Sequence, residues 1–368
     1  MRLAEFAIRN FRNYAEARLT FSPERNFIFG RNAQGKSNLL QAITMLCLTK
    51  DLRSNVDDEL VKNDADFFEV HGTFVDERGL STKAGIGFQK GGAKHIVHNG
   101  KRQQRQADYV GKFPIVVFSP ESHRITSGPP SERRRYIDML LCQGSPAYLA
   151  DLQEYTRKLR QRNALLAAGE RSREEQMLVV WDEAIAEVGA RIVNARAQFF
   201  ENAAERAGEI YRRVDEKKSD LRVLYESRIE PREEAKKKFM ELLKQKRVID
   251  WQRGQTTIGP HRDDMVIFID QSDLRKYGSR GEHKSVLMTL KLLEAQYLLE
   301  KKNTAPMVVL DDLFSELDDG RAQRCLSMFS DSCQLFVSSV GKPEVEKNER
   351  DIFFEIENGE VINNRRDE

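Results

Sequence analysis

The residues best suited to chemistry lie in one glycine-bounded loop, which runs from Gly30 to Ser37 and includes Lys36. The residues before it, Phe27 to Phe29, resemble the end of a buried strand, and apolar residues recur at helical spacing after it. Such a loop points consecutive backbone N–H groups into one concavity, which suits a phosphate group. The Lys36 ammonium can contact β- and γ-phosphates, and the Ser37 hydroxyl can ligate Mg²⁺. This Walker A pattern predicts a nucleoside-triphosphate site. The contacts expected from it are those of Gly30, Arg31, Asn32, Ala33, Gln34, Gly35, Lys36, Ser37 and Asn38.

Two adjacent carboxylates follow a second buried strand, Met307 to Leu310. Carboxylates at the carboxyl end of a parallel strand face the crevice in which a phosphate loop lies. Asp311 is therefore expected to hold Mg²⁺, through water because that ion dehydrates reluctantly. Asp312 is expected to polarise the attacking water as a general base. An acidic turn after a core strand is the alternative, but the Walker A motif upstream favours a Walker B motif.

A third segment contains Ser279 and Gly281 and opens a helical pattern from His283 to Glu300. A serine and a glycine at a helix N-terminus can bind an anion through the helix dipole and free amides. Both residues are therefore expected to contact nucleotide. N-capping is the usual reason for such residues, and the position just before the Walker B strand is what favours a nucleotide-binding signature loop.

The order of these motifs, followed by Ser315-Glu316-Leu317-Asp318, resembles that of ABC-type ATPases. In that class the signature loop completes the site of a second subunit. The resemblance implies that ATP joins two chains around a two-fold axis and that hydrolysis loosens the dimer.

Composition narrows the remaining classes. The 368 residues suit two domains, or one large domain with an insertion, and 60 basic residues nearly balance 58 acidic ones, so any basic surface is local. The four cysteines are scattered without a C-x-x-C pair, which argues against a disulfide framework or a zinc site and favours a cytoplasmic location. No apolar segment is long enough for a signal peptide or a membrane span.

The chain divides at Ser127-Gly128-Pro129-Pro130, where strand patterns give way to a charged helical pattern. Apolar residues at steps of three and four predict a helix pair there. They are Leu178, Trp181, Ile185, Val188, Ile192, Ala195 and Phe199. We therefore expect an α/β fold, a P-loop ATPase head of the ABC/SMC type, formed by residues 1–126 and 247–368. Residues 127–246 would form an inserted α-helical arm.

Basic clusters on the predicted arm fit contacts with a nucleic-acid backbone, although a solvated helix face is the common meaning of mixed charge. They are Arg133-Arg134-Arg135, Arg157-Lys158, Arg160, Arg162, Arg212-Arg213 and Lys236-Lys237-Lys238. Arg12, in a polar turn between two predicted strands, is either a nucleotide contact or a solvated arginine.

Almost the whole chain resembles the RecF family of bacterial recombination-mediator ATPases. The segments that carry the resemblance are residues 10–14, 30–38, 118–121, Pro129 with 133–135 and Asp138, 161–166, 259–264, the signature loop and residues 310–318. The resemblance implies an ATP-dependent homodimer that clamps single-stranded, duplex or gapped DNA. It also implies slow ATP hydrolysis and action with RecO and RecR to load RecA.

Two segments depart from the family pattern. Glu282 stands where glutamine is usual, which puts an acceptor near the phosphates, and Ser338-Ser339-Val340 stands where threonines and an aspartate are usual. Both departures are expected to affect hydrolysis more than nucleotide binding. The segment that contains His261 and Asp263 matches the family, but its residues have no assigned role.

Three other classes remain as alternatives. A transporter ATPase subunit would need a membrane partner and would carry a shorter insertion. A P-loop nucleotide kinase would lack a signature loop. A nuclease of the overcoming-lysogenization type would need a further carboxylate-rich domain.

Overall fold

The computed structural model describes residues 1–53, 56–168, 171–215, 219–313, 319–330, 332–346 and 348–366. It divides into two compact units. The first unit comprises Met1–His123 and Leu287–Glu368, and the second comprises Arg124–Val286. The expected Ser315 to Asp318 motif lies outside the described residues.

The first unit begins with eight strands and one helix. They are β1 (Arg2–Phe11), β2 (Tyr14–Thr20), β3 (Arg25–Phe29), α1 (Lys36–Leu48), β4 (Phe67–Val75), β5 (Ser81–Gln89), β6 (His95–His98), β7 (Lys101–Arg102) and β8 (Ile115–Phe118). Strands β2-β1-β4-β5-β6-β7 form an antiparallel sheet in that order. Buried residues alternate along the whole of β4, as expected of a strand with one face in the core.

The second unit supplies most of the helices. Its helices are α2 (Arg124–Ser127), α3 (Pro130–Gly144), α4 (Pro146–Ala168), α5 (Arg171–Asp215), α6 (Ala235–Arg253), α7 (Leu274–Tyr277) and the start of α8 (Arg280–Lys302), which belongs to the first unit from Leu287 onward. Its strands are β9 (Leu221–Glu226), β10 (Asp264–Ile269) and β11 (Ser272–Asp273). Helix α5 packs against α4 and α6 through the predicted apolar seam, in which Leu178, Ile185 and Ile192 are fully buried. The helix pair is therefore confirmed.

After α8, the first unit continues with β12 (Met307–Leu310), α9 (Asp319–Ser330), β13 (Leu335–Ser339), β14 (Ile352–Glu357) and β15 (Glu360–Arg366). These strands join β3 and β8 in a second sheet, in the order β15-β14-β3-β13-β12-β8. All its pairings are parallel except that of β14 with β15. The two motif strands, β3 and β12, flank β13, so their carboxyl ends lie at the same edge.

The second compact unit differs in extent from the expected insertion. Residues 127–246 were expected to form an α-helical arm, but β9 lies within them and pairs with β10. Leu221 and Val223 are buried and Arg222 and Leu224 exposed, a short alternation that charged neighbours conceal. Because β10 comes after residue 246, that pairing keeps the following segment in the second unit. The compact units change at 123/124 and 286/287, whereas the sequence predicts an insertion that begins after residue 126 and ends at residue 246.

The second unit has a charged interior. The fully buried Arg162 donates to Asp182 at 2.7 Å and to Asp250 at 2.8 Å. Arg196 donates to Asp138 at 2.7 Å and to the Pro260 carbonyl at 2.7 Å. Such pairs need good geometry to offset desolvation, and these hydrogen bonds supply it.

Among the described residues, no helix is both long and apolar enough to cross a membrane. The four cysteines are all buried, and no disulfide joins them.

Candidate nucleotide-binding site

The loop between β3 and α1 has a backbone that requires its two glycines. Gly30 has φ 151° and Gly35 has φ 116°, values that side chains rarely allow. A Cβ at Gly30 would lie 2.3 Å from the Ile356 carbonyl oxygen, and one at Gly35 would lie 2.6 Å from the Asn13 side chain. The strand, loop and helix thus have the arrangement expected of a phosphate-binding loop.

Lys36 begins α1 and turns back over the loop. Its Nζ donates to the Gly30 carbonyl at 2.7 Å and to the Arg31 carbonyl at 2.9 Å. Burial lowers the pKa of Lys36, and the carboxylates of Asp312 and Asp311 act in the opposite direction. The ammonium is therefore held beside the Walker B acids and within the loop.

Asp311, at the end of β12, meets Ser37 directly. The Ser37 hydroxyl donates to Asp311 Oδ1 at 3.0 Å, and the Ser338 hydroxyl donates to the same oxygen at 2.7 Å. Arg53 donates to the other oxygen, Oδ2, at 2.7 Å. The Asp311 side chain is only 3% exposed, so these donors compensate a buried charge.

Asp312 adopts the left-handed region, with φ 55°. Its backbone N–H donates to the Ser338 hydroxyl at 2.8 Å. Ser338, one of the two departures from the family pattern, therefore links both acids of the Walker B motif. The predicted base and the predicted metal ligand share one supporting hydroxyl.

The oxygen atoms of Ser37 and Asp311 suit Mg²⁺, which takes oxygen ligands and keeps several waters. A cavity of about 40 Å³ lies against Ser37, Asp311 and Glu121, large enough for water. Gln41 also lines this cavity, and its buried Nε2 has no hydrogen-bond partner. The described residues contain no group of three metal-binding His, Cys, Asp or Glu side chains. Mg²⁺ sites that also use nucleotide phosphates need only one or two carboxylates, so Ser37 and Asp311 fit the ion.

Two turns support the loop from either side. In the turn between β1 and β2, the Asn13 Nδ2 donates to the Gln34 carbonyl at 3.0 Å, and Asn38 donates to Asn13 Oδ1 at 2.8 Å. The turn between β14 and β15 contacts Gln34 twice. The Asn358 amide donates to the Gln34 side-chain oxygen at 2.6 Å, and the Gly359 amide donates to the Gln34 backbone carbonyl at 2.9 Å. The sequence analysis missed both supports. An asparagine in a tight turn was their only sequence signal.

Arg12 lies in the first of these turns, half-buried and with φ 52°. Its Nε donates to Gln41 Oε1 at 3.3 Å. The structure thus brings Arg12 to helix α1. A nucleotide contact by Arg12 stays a prediction.

The signature loop lies in the second unit and forms a capping box at the start of α8. The Ser279 amide and hydroxyl each donate to Glu282 Oε2 at 2.8 Å, and the Glu282 amide donates to Ser279 Oγ at 3.3 Å. The carboxylate of Glu282 therefore occupies two donors that an anion at Ser279 would use. Gly281, in the first turn of α8, has no side chain to obstruct the helix end.

The segment from Gly259 to Asp264 belongs to the interior of the second unit. Gly259 has φ 133°, and a Cβ there would lie 2.4 Å from the Tyr155 hydroxyl. His261 Nδ1 forms a 2.6 Å hydrogen bond with that hydroxyl, and burial lowers the pKa of His261 to about 4. Burial raises the pKa of Asp263 to about 6, although its carboxylate accepts a hydrogen bond from Tyr225. These contacts indicate a structural role in a packed polar cluster.

Two arginines of the predicted DNA-contacting clusters have internal partners instead. Arg133 is 4% exposed and forms two hydrogen bonds with the Asp264 carboxylate, at 2.7 and 2.8 Å. Arg162 is fully buried, as described above. Neither is available to a nucleic acid. Arg134 donates to the Asp263 carbonyl at 2.8 Å, and burial lowers its pKa.

Comparison with known proteins places these features in one family. The family model described as RecF/RecN/SMC N terminal domain matches residues 2–362. The "DNA replication and repair protein RecF" of Salinibacter ruber is 34% identical over 373 residues, which cover 99% of this chain and 89% of that protein. The protein of the same name from Halalkalibacterium halodurans is 34% identical over 370 residues, covering 98% and 99%.

Solved structures agree with this assignment. A structure of the recombination mediator protein RecF with ATP, in the RecFOR pathway, has a TM-score of 0.90 and 33% identity, and the match covers 98% of this chain and 96% of that one. An Smc head bound to the C-winged helix domain of ScpA has a TM-score of 0.57 at 17% identity and shows the fold alone. The predicted α/β head of the ABC/SMC type is thus confirmed. The chain belongs to the RecF family of DNA replication and repair proteins.

Proposed function

We propose that this protein binds and slowly hydrolyses ATP, and that ATP joins two copies of the chain into a clamp on DNA. The observation that carries the proposal is the meeting of Lys36, Ser37 and the Walker B acids at one sheet edge. A RecF structure with ATP, whose sequence is 33% identical to this one, supports ATP as the nucleotide.

Each side chain then has a defined task in ATP hydrolysis. The loop amides and the Lys36 ammonium hold the β- and γ-phosphates, so the carbonyls of Gly30 and Arg31 give up that ammonium. Ser37 and Asp311 would hold Mg²⁺, whose charge neutralises the phosphates. Asp312, fixed through Ser338, orients the attacking water and accepts its proton while ADP and phosphate form.

The signature loop would complete the site of a second copy. Ser279 is exposed and starts a long helix, so its hydroxyl and the first amides of α8 can meet a γ-phosphate. One chain then carries half a site on each of two surfaces, and closed two-fold pairing uses both. ATP binding would therefore be coupled to dimerisation.

This dimer would bind DNA, and it would recognise gapped or junction DNA in particular. Exposed basic residues remain on the second unit, among them Arg135, Arg157 and Arg213. Such residues give affinity for phosphate backbones without reading sequence. RecO and RecR are the proposed partners in loading RecA, because the structural relative acts in the RecFOR pathway. A transporter subunit is not favoured, since the relatives over nearly the full length are RecF proteins.

The variant Ser279→Arg tests the shared site. We expect it to bind ATP as the unaltered protein does but to lose ATP-driven dimerisation, because arginine fills the space that the partner's phosphate needs. Nucleotide binding is measured with a fluorescent ATP analogue and mass by light scattering. The matched control is Ser272→Arg, at another exposed serine of the same unit. Equal loss of ATP binding and dimerisation in Ser279→Arg would contradict a site shared between copies.

A further inference from the structure

Arg53 lies in the loop after α1 and joins two carboxylates of the first unit. Its Nη2 is 2.7 Å from Asp311 Oδ2, and its Nε is 3.2 Å from Glu121 Oε1. Glu121 follows β8, the neighbour of β12, so both acids come from the same sheet edge. The Arg53 side chain is 30% exposed, whereas Asp311 is 3% exposed. The guanidinium is thus hydrogen-bonded directly to the Walker B carboxylate.

Both carboxylate oxygens of Asp311 accept hydrogen bonds from protein donors. Oδ1 accepts from the hydroxyls of Ser37 and Ser338, and Oδ2 accepts from Arg53. The two hydroxyls are neutral and can stay when a divalent cation arrives. Arg53 carries a positive charge. A guanidinium and a divalent cation on the same carboxylate would lie close together, and like charges that close repel strongly in a partly buried site. The guanidinium and a metal ion therefore compete for one carboxylate.

We propose that Asp311 exchanges Arg53 for Mg²⁺ when nucleotide binds. Without nucleotide, Arg53 compensates the buried carboxylate, which would otherwise be an unpaired charge in the interior. With nucleotide, Arg53 leaves Oδ2 and stays near the site through Glu121, whose side chain is 49% exposed and able to move with it. Arg53 is a positioning residue whose departure makes binding of metal and nucleotide a single coupled event. This inference rests on the proposed nucleotide site.

The exchange is tested by the Mg²⁺ dependence of nucleotide binding in Arg53→Met. Without the competing cation, we expect half-maximal binding of a fluorescent ATP analogue to need roughly three- to tenfold less Mg²⁺. Affinity at saturating Mg²⁺ should stay within about twofold, since the exchanged contact is already lost there. The thermal midpoint without nucleotide should fall, because Asp311 loses its counter-ion. Glu121→Gln removes the carboxylate that holds Arg53 after it leaves Asp311, so it should shift the Mg²⁺ midpoint in the opposite direction, to higher Mg²⁺.

A matched ion pair in the same unit supplies the control. Arg25 donates to Asp351 at 2.6 and 2.8 Å, and Asp351 is 1% exposed. We expect Arg25→Met to lower the thermal midpoint and to leave the Mg²⁺ midpoint unchanged. An unchanged or raised Mg²⁺ midpoint in Arg53→Met would overturn the exchange. So would a large loss of affinity at saturating Mg²⁺, which would place Arg53 on the phosphates. If the unaltered protein bound no nucleotide, with Lys36→Met as reference, the proposed function itself would fail.

Discussion

At the scale of single residues, buried charges in this protein have hydrogen-bond partners that match them: donors for carboxylates and acceptors for guanidinium groups. Asp311 has two hydroxyls and a guanidinium, and Arg162 has two carboxylates. A buried charge without such partners would cost several kcal/mol. Because each partner lies far away in sequence, removing one of them disturbs both the local site and the packing of separate elements.

The polar cluster in the second unit gives a prediction about pH. The pKa of His261 is lowered from 6.5 to about 4, so its contribution to stability is complete above pH 6.5 and is lost as pH falls toward 4. The pKa of Asp263 is raised from 3.8 to about 6, so its contribution is complete below pH 3.8 and is lost as pH rises through 6. Between pH 4 and 6 the two effects oppose each other, each at most about 3 kcal/mol.

A substitution at either His261 or Asp263 should therefore leave only the pH dependence of stability that the other residue causes. In His261→Gln the free energy of unfolding should fall as pH rises from 4 to 6, and in Asp263→Asn it should rise over the same range. Urea unfolding followed by circular dichroism at several pH values gives both slopes. His71→Gln, at an exposed histidine, is the control and should leave the slope unchanged. Slopes of the same sign in the two variants would show that the cluster does not titrate in this way.

At the scale of elements, the start of α8 combines a cap with a proposed ligand site. The capping box stabilises the helix because Glu282 accepts from both donors of Ser279. The same carboxylate would meet the γ-phosphate of a partner's ATP, and two anions compete for these donors. The start of α8 is thus stable without a partner, whereas the Glu282 carboxylate opposes the proposed contact with a partner's phosphate.

The variant Glu282→Gln separates these two effects. Glutamine can still accept from Ser279, so we expect the thermal midpoint to change by about a degree or less, since capping boxes use either residue. ATP-driven dimerisation should become stronger, because a repelling charge is gone. Light scattering over a range of protein concentrations measures it, with Glu201→Gln on α5 as control. Weaker dimerisation in Glu282→Gln would mean that the carboxylate assists the contact.

Local patterns in the sequence predicted the motif-bearing elements well. Strand β12 begins and ends where its apolar run does, and α1 follows the loop as expected. What escaped prediction depends on distant pairing. Arg53 lies 258 residues from Asp311, and Asn358 lies 324 residues from Gln34, so no spacing along the chain indicates these contacts. Strand β9 was missed because its alternation is brief and surrounded by charge.

At the scale of the whole molecule, the residues proposed to contact nucleotide are divided between the two compact units. The first contains the phosphate loop and the Walker B acids, and the second contains Ser279 and most of the helices. If each copy supplies one half of each of two sites, the functional unit is a pair. Hydrolysis then times the release of DNA because it removes the γ-phosphate that both copies hold.

The molar mass in solution tests this central claim most directly. Light scattering is measured without nucleotide, with ATP and Mg²⁺, and then with gapped duplex DNA added. The account predicts a monomer that doubles its mass with ATP and then binds DNA more tightly. Asp312→Asn should hold the doubled mass for longer, since the general base is lost. A mass that ATP leaves unchanged, although nucleotide is bound, would contradict the account.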